Sequence, residues 1–210
     1  MSQKLALFDV DKTIIFNDSM FSFLLYGLKK KPASLHWVFL AGLYSVLYKL
    51  NLMSAEHAKS AFFGFIKYLD EKDLKQFFDT KLKPRIYSQA LKEMRYRKQE
   101  GYHILLVTAS PAAYMKYFNE LNEVDSVIGT ELTIKEGRYT GTIKGNNCKG
   151  EEKVVRIKHY LAEKKITPDY NNSCAYSDSL SDMPMLTLVK HSYLINRKDT
   201  AGCEGLIWSF

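Results

Sequence analysis

The sequence predicts an α/β fold, a parallel sheet with helices on both faces and an all-helical unit inserted into it. Three observations predict it. Leu5 to Phe8 is an unbroken apolar run, as expected of a strand buried on both faces, and it ends abruptly in Asp9, Asp11 and Thr13. Near the far end, Cys174 to Ser177 is a second short apolar strand that ends in a carboxylate, Asp178, with Asp182 four residues on. Between these, roughly 70 residues of helical pattern follow Thr13 before the next clear β-α signal, too many for one crossover. For the first stretch alone, a strand followed by an Asp-rich turn explains the residues equally well. The second strand end decides the matter, because ligand chemistry in open α/β sheets lies outside the carboxyl ends of strands. Two strand ends with an acid pair each make an oxygen cage suited to Mg²⁺, which takes one or two carboxylates, water and substrate phosphate.

In chain order, Met20 to Leu28, Leu35 to Leu52 and Ala55 to Tyr68 are the main apolar helical segments, and Asp70 to Phe78 is a shorter amphipathic piece. Asp18 is placed to cap the first and Ser54 the third. Residues 17–85 therefore read as an inserted helical cap, with 1–16 and 86–210 forming the core. Trp37 to Tyr48 carries no charged residue and is too short to span a bilayer. Packing inside the cap is the preferred reading; a membrane-facing surface with Trp37, Tyr44 and Tyr48 at headgroup level is the other.

Helix Tyr87 to Gln99 leads through Gly101 into a buried strand ending at Thr108. Ser110, followed by Pro111, reads as the N-cap of a helix from Ala112 to Leu121, which leaves Thr108 for chemistry. Thr133 to Ile143 alternates around Glu136-Gly137 and predicts a hairpin. A helix then opens at Gly150-Glu-Glu-Lys-Val and runs to about Lys164, a short helix follows Asp182, and His191 to Ile195 is the last strand. The tail Leu206-Ile207-Trp208 is expected to lie on the sheet edge.

These residues resemble the haloacid dehalogenase-like superfamily of phosphohydrolases, which carries Asp-x-Asp-x-Thr on its first strand. The resemblance covers nearly the whole chain and falls in subfamily IB, the branch of the phosphoserine phosphatases and the bacterial phosphatidylglycerophosphatase. It implies a Rossmann-like core, a C1-type helical cap and a Mg²⁺-dependent phosphatase working through an aspartyl-phosphate. Carried over residue by residue, Asp9 is the nucleophile and Asp11 the acid that protonates the leaving oxygen and then activates water. Mg²⁺ is held by the Asp9 side chain, the Asp11 backbone carbonyl and Asp178, with Asp182 in support. Thr108 and Ala109 meet the phosphoryl group together with a lysine. Lys153 is preferred for that lysine because it fits the branch pattern Gly-x-x-Lys-Val; Lys149 is the alternative, in a Lys-Gly pair. Asp18 stands where phosphoserine phosphatases carry a glutamate that meets the substrate amine. Lys12 departs from the family, which more often has Gly or Ser there. Asp-Lys-Thr also resembles the cation-pumping ATPases, but Ile14-Ile15 replaces their Gly-Thr and the pump reading fails.

Phosphoserine would need a cap cation for its carboxylate, typically arginine, and no arginine lies between Ile14 and Pro84. The apolar cap, Gly150-Glu-Glu-Lys-Val and Tyr176-Ser-Asp-Ser look more like the phosphatidylglycerophosphatase. The expected substrate is a lipid-headgroup phosphomonoester, with phosphoserine or another small metabolite as the alternative. A non-catalytic phosphate-binding or membrane-peripheral protein is the reading from another class. Composition is that of an ordinary globular chain, 46% hydrophobic and 25% charged. The net charge of +7 favours anionic partners, yet there is no nucleic-acid motif. Three scattered cysteines and no signal-peptide pattern predict a cytoplasmic protein with possible peripheral membrane contact.

Overall fold

In a computed structural model, residues 2–32, 35–50 and 63–209 are described, with some side chains inside 35–50 omitted. Six strands form one parallel sheet: β1 (Leu5–Phe8), β2 (His103–Pro111), β3 (Ser126–Thr130), β6 (Cys174–Ser177), β7 (His191–Ile195) and β8 (Glu204–Leu206), in the order β3-β2-β1-β6-β7-β8. β4 (Leu132–Lys135) and β5 (Arg138–Ile143) make a separate antiparallel hairpin. Its turn residues Glu136 and Gly137 both have positive φ, 49° and 74°, the conformation a two-residue hairpin turn requires.

The unbroken apolar strands have a simple cause. Ala6 and Phe8, with Ile104, Leu106, Cys174 and Tyr176, pack into one hydrophobic cluster; Leu5 and Leu7, with Leu105, Val107 and Ala175, pack into another. Alternate residues thus serve opposite faces of the sheet, and both faces are covered. Helix α4 (Ser88–Gln99) contributes Ala90 and Met94 to the first cluster. Helix α6 (Glu151–Glu163) contributes Ile157 and Leu161 to the second. β1 sits centrally, and the chain leaves it toward β2 and β3 before returning on its other side at β6. The carboxyl ends of β1, β2 and β6 therefore meet at the switch point, where a ligand site is expected.

Between β1 and β2 the described residues are helical: α1 (Ser19–Lys30), α2 (Leu35–Lys49), a 3₁₀ stretch Gly64–Tyr68, α3 (Glu71–Phe77), a π-helical turn Phe78–Leu82 and a last 3₁₀ turn Lys83–Arg85. Asp18 caps α1, its Oδ1 accepting from the Phe21 N–H at 3.0 Å. Asp70 forms a reciprocal capping box with Asp73 at α3. Phe23 joins this unit to the core by ring contacts with Phe65, Phe77 and Tyr114. On α2, Leu40 and Tyr44 pack against the core, while Phe39, Leu43 and Val46, and Leu50 just after it, are exposed. The expected Ser54 cap, most of the third cap segment and the Trp37 and Tyr48 side chains lie outside the described residues. Among the described residues no helix is long and apolar enough to cross a membrane.

Two expectations need correction. The helix after β2 is α-helical only over α5 (Ala112–Met115) and continues as 3₁₀ over Lys116–Glu120. Ser110 is not its N-cap: β2 runs through to Pro111, which precedes the helix without a side-chain cap, and the Ser110 hydroxyl goes elsewhere. The tail follows expectation more closely. β8 extends the sheet by pairing with β7, and Trp208 is buried against Tyr87 and Tyr176.

Candidate active site

A cleft of 370 Å³ opens at the switch point, lined by Asp9, Asp11, Asp18, Ala109, Lys149, Lys153, Asp178 and Asp182, with Lys12, Met20, Ser110, Ser179 and Ser181 completing it. Eight of the nine residues singled out from the sequence therefore meet in one place. The ninth, Thr108, lies just behind, fully buried, its Oγ1 accepting from the Ser110 N–H at 3.0 Å.

Asp9 lies directly after β1, whose pairing continues through its N–H to the Tyr176 carbonyl. Lys153, on the first turn of α6 and only 1% exposed, donates to Asp9 Oδ1 at 2.6 Å and to Asp182 Oδ2 at 2.7 Å. Lys149 lines the cleft but makes no ion pair with either acid. A buried ammonium needs paired carboxylates to offset its lost hydration. Burial lowers the Lys153 pKa, but Asp9 and Asp182 outweigh that and hold it above its usual value. For Asp9 burial is the largest influence and raises its pKa; Lys153 opposes, and Asp182, sharing the same ammonium, adds to the rise. Thr13 Oγ1 donates to Asp9 Oδ2 at 3.2 Å and accepts from the Asp178 N–H at 2.9 Å, so one hydroxyl ties the ends of β1 and β6 together. Asp182 also accepts from Ser177 Oγ at 2.8 Å.

Asp11 has different company. Its Oδ1 accepts from the Ser19 N–H and its Oδ2 from Ser110 Oγ, both at 2.6 Å. Burial raises its pKa, and the Ser110 hydroxyl and the side chain and backbone of Ser19 only partly oppose the rise. Between the two acids Lys12 adopts φ 57°, a left-handed conformation that favours glycine, which accounts for the smaller residue the family more often has there. Asp18 lines the cleft while its side chain caps α1. Sequence reasoning missed Thr13's link to Asp178 and the Ser110 bond to Asp11, which join residues 165 and 99 positions apart, and it missed the nearer bonds of Ser19 and Ser177.

The donor set fits Mg²⁺. The Asp178 carboxylate accepts no hydrogen bond among the described residues, and burial raises its pKa against the opposing pull of Lys12. Among the described residues no three His, Cys, Asp or Glu side chains form a metal cage. Asp178 and Asp9, with water and phosphate oxygens, are the kind of partial site Mg²⁺ takes.

A model of the haloacid dehalogenase-like hydrolases matches residues 6–187. The chain belongs to that family of hydrolases. It is 28% identical over 194 residues to protein CicA of Caulobacter vibrioides, covering 88% of this chain and 82% of the relative. A histidinol-phosphatase of Neisseria meningitidis is 39% identical over 75 residues, 35% of this chain and 34% of the relative. A phosphoserine phosphatase of Archaeoglobus fulgidus is 28% identical over 151 residues, 69% and 43%. A solved Bordetella pertussis protein of unknown function shares the fold with a TM-score of 0.83 at 24% identity, covering 98% of this chain and 99% of that one.

Proposed function

We propose that the protein hydrolyses phosphomonoesters by way of an aspartyl-phosphate on Asp9. The observation that carries this reading is Lys153, an ammonium held inside the protein against Asp9. One buried ammonium shared by two buried carboxylates at the edge of a cleft is a costly arrangement of the kind found at functional sites. In the first step an Asp9 oxygen bonds to phosphorus as the ester P–O bond breaks, and Asp11 gives its proton to the departing oxygen. In the second, water bonds to phosphorus as the Asp9–phosphorus bond breaks, and Asp11 takes the water's proton. Lys153 meets negative charge on the phosphoryl oxygens, with Lys149 nearby on the cleft wall, and Ala109 lies beside that position. Thr108, buried behind, braces the Ala109–Ser110 turn. Asp9 and Asp178 would hold Mg²⁺ with the Asp11 carbonyl, and Asp182 supports them through Lys153. When bound, Mg²⁺ offsets repulsion between an anionic nucleophile and an anionic phosphate.

Residues 17–85 act as a cap over a core of 1–16 and 86–210, and the substrate is a partly apolar phosphate such as a lipid headgroup ester. Exposed Phe21 and Leu25 on α1, Phe39, Leu43 and Val46 on α2 and Leu50 after it support this, with Lys29 on α1 and Met20 at the cleft. Such a surface suits a cytoplasmic protein in peripheral membrane contact. The second reading is a small-metabolite phosphatase, with phosphoserine or histidinol phosphate as substrate; the relatives bearing those activities favour it. The test is phosphate release with and without Mg²⁺ across phosphoserine, histidinol phosphate, sugar phosphates, nucleotides and short-chain phosphatidylglycerophosphate, with Asp9→Asn as control. Mg²⁺-dependent release that disappears in the variant is expected. Equal rates in both proteins, or none in either, would overturn the catalytic reading.

A further inference from the structure

Asp11 is held by two fixed donors, and one of them is a side chain. Ser110 is 1% exposed, and its hydroxyl reaches Asp11 Oδ2 at 2.6 Å across 99 positions of sequence. Behind it lie Ser19 Oγ at 2.9 Å from Ser110 Oγ and Tyr114 Oη at 3.4 Å from Ser19 Oγ, all buried. With Asp11 ionised, the carboxylate can only accept, so Ser110 donates to it and is left to accept from Ser19.

The backbone that carries Ser110 is built for that placement. The pairing of β2 with β3 shifts register between Val107 and Pro111, a bulge of the kind that re-aims side chains beside active sites. Thr130 Oγ1 donates to the Ala109 carbonyl at 2.8 Å and pins the bulge. Gly129 lets β3 approach it closely; a Cβ there would stand 2.9 Å from the Ser110 carbonyl oxygen and 3.0 Å from the Ala112 nitrogen.

We propose that Ser110 is the positioning residue for Asp11, holding its carboxyl group in the plane from which a proton reaches the departing ester oxygen, with Ser19 Oγ bracing Ser110 from behind. A hydroxyl suits this duty. It donates to a carboxylate and accepts from a carboxylic acid, so one contact serves Asp11 before and after it gives its proton. The Ser19 N–H can only donate. The proposal rests on the phosphomonoesterase reading above.

Positioning of an acid has a signature that mere structural support lacks. Dinitrophenolate leaves without a proton, whereas phenolate leaves far better with one. The experiment is kcat/KM, which reports the step in which the ester bond breaks, for phenyl phosphate and 2,4-dinitrophenyl phosphate in wild type, Ser110→Ala, Ser110→Thr and Ser19→Ala. Ser110→Ala should lower the phenyl-to-dinitrophenyl ratio by about tenfold or more, a part of the ~10²–10⁴ that general acid catalysis supplies. Ser110→Thr, which keeps the hydroxyl, should restore most of the ratio, and Ser19→Ala should lower it less. An equal loss on both esters in Ser110→Ala and Ser19→Ala, or no loss on either, would overturn the proposal while leaving the phosphatase reading intact. Should Ser110→Ala fail to fold, Ser19→Ala decides alone, since it removes the brace and keeps the backbone donor. A wild type inactive on both esters and on the panel above would instead overturn the phosphatase reading and this proposal with it.

Discussion

The two sides of the cleft differ in kind. Toward α6 and β6 the contacts are ionic: one ammonium, Lys153, is shared by Asp9 and Asp182. Toward α1 and β2 they are neutral: a backbone N–H and a chain of hydroxyls surround Asp11. Two carboxylates only two residues apart are thus given different surroundings and, on the proposed reading, different tasks. Asp9, which we propose as the nucleophile, has a fixed cation that opposes the rise burial gives its pKa. Asp11, buried with no cation bonded to it, is biased toward holding a proton and giving it up. The difference is one of compensation: Asp9 has a counter-charge at bonding distance, and Asp11 has only neutral donors.

This contrast can be broken from either side. The largest expected effect is on catalysis: Asp11→Asn should slow esters of poor leaving groups by roughly 10²–10⁴-fold, and those of good leaving groups much less, measured as kcat/KM. Next is Lys153→Met, which leaves Asp9 and Asp182 buried beside each other without their cation. A loss of about 3–5 kcal/mol in denaturant unfolding is expected. Loss of less than 1 kcal/mol would mean that the pair is hydrated in solution.

The neutral side should respond in the opposite sense. Asp11→Asn keeps hydrogen-bonding atoms of the same shape and removes a buried charge, so the metal-free variant should gain roughly 1 kcal/mol at neutral pH while losing activity. The sign follows from linkage. The folded pKa of Asp11 is raised above the ordinary 3.8, so folding favours its protonated form. That contribution is full below pH 3.8 and is lost as pH rises through the raised value. Wild type should therefore lose stability relative to Asp11→Asn as pH climbs from acid to neutral, measured by thermal melts in chelator. The smallest effect is expected for Ser177→Ala, which removes one donor from Asp182 and should cost about 1 kcal/mol with Lys153 still in place.

Much of this was legible in the sequence, for a physical reason. A strand covered on both faces must be apolar throughout, so Asp9 and Asp178 stand out where the apolar run stops. The hairpin is legible because residues alternate on either side of Glu136-Gly137, although Glu136 takes a positive φ that glutamate seldom adopts. Lys153 could be preferred over Lys149 from its place in Gly-x-x-Lys-Val, and it is Lys153 that reaches Asp9. Ser110 was misread because a serine before proline has a good local explanation as a helix cap. Its actual partner is 99 residues away, and only the assembled sheet brings the two together. Ser19 bonds Asp11 from eight positions away and Ser177 bonds Asp182 from five, but both spacings cross from strand end to helix start, where no periodic pattern marks them. Local pattern shows where the chain is apolar and where it turns, while a hydroxyl's partner is a property of the fold.

The central claim is that Asp9 carries the phosphoryl group while Asp11 moves protons on either side of that intermediate. The most direct measurement is acid quench of Asp11→Asn turning over 2,4-dinitrophenyl phosphate with Mg²⁺, followed by mass spectrometry of its peptides. The leaving group needs no acid, but water lacks its base, so the phosphorylated enzyme should accumulate with the added phosphoryl mass on the peptide containing Asp9. Continued turnover with no phosphorylated peptide, or with the phosphoryl group on another residue, would contradict the account.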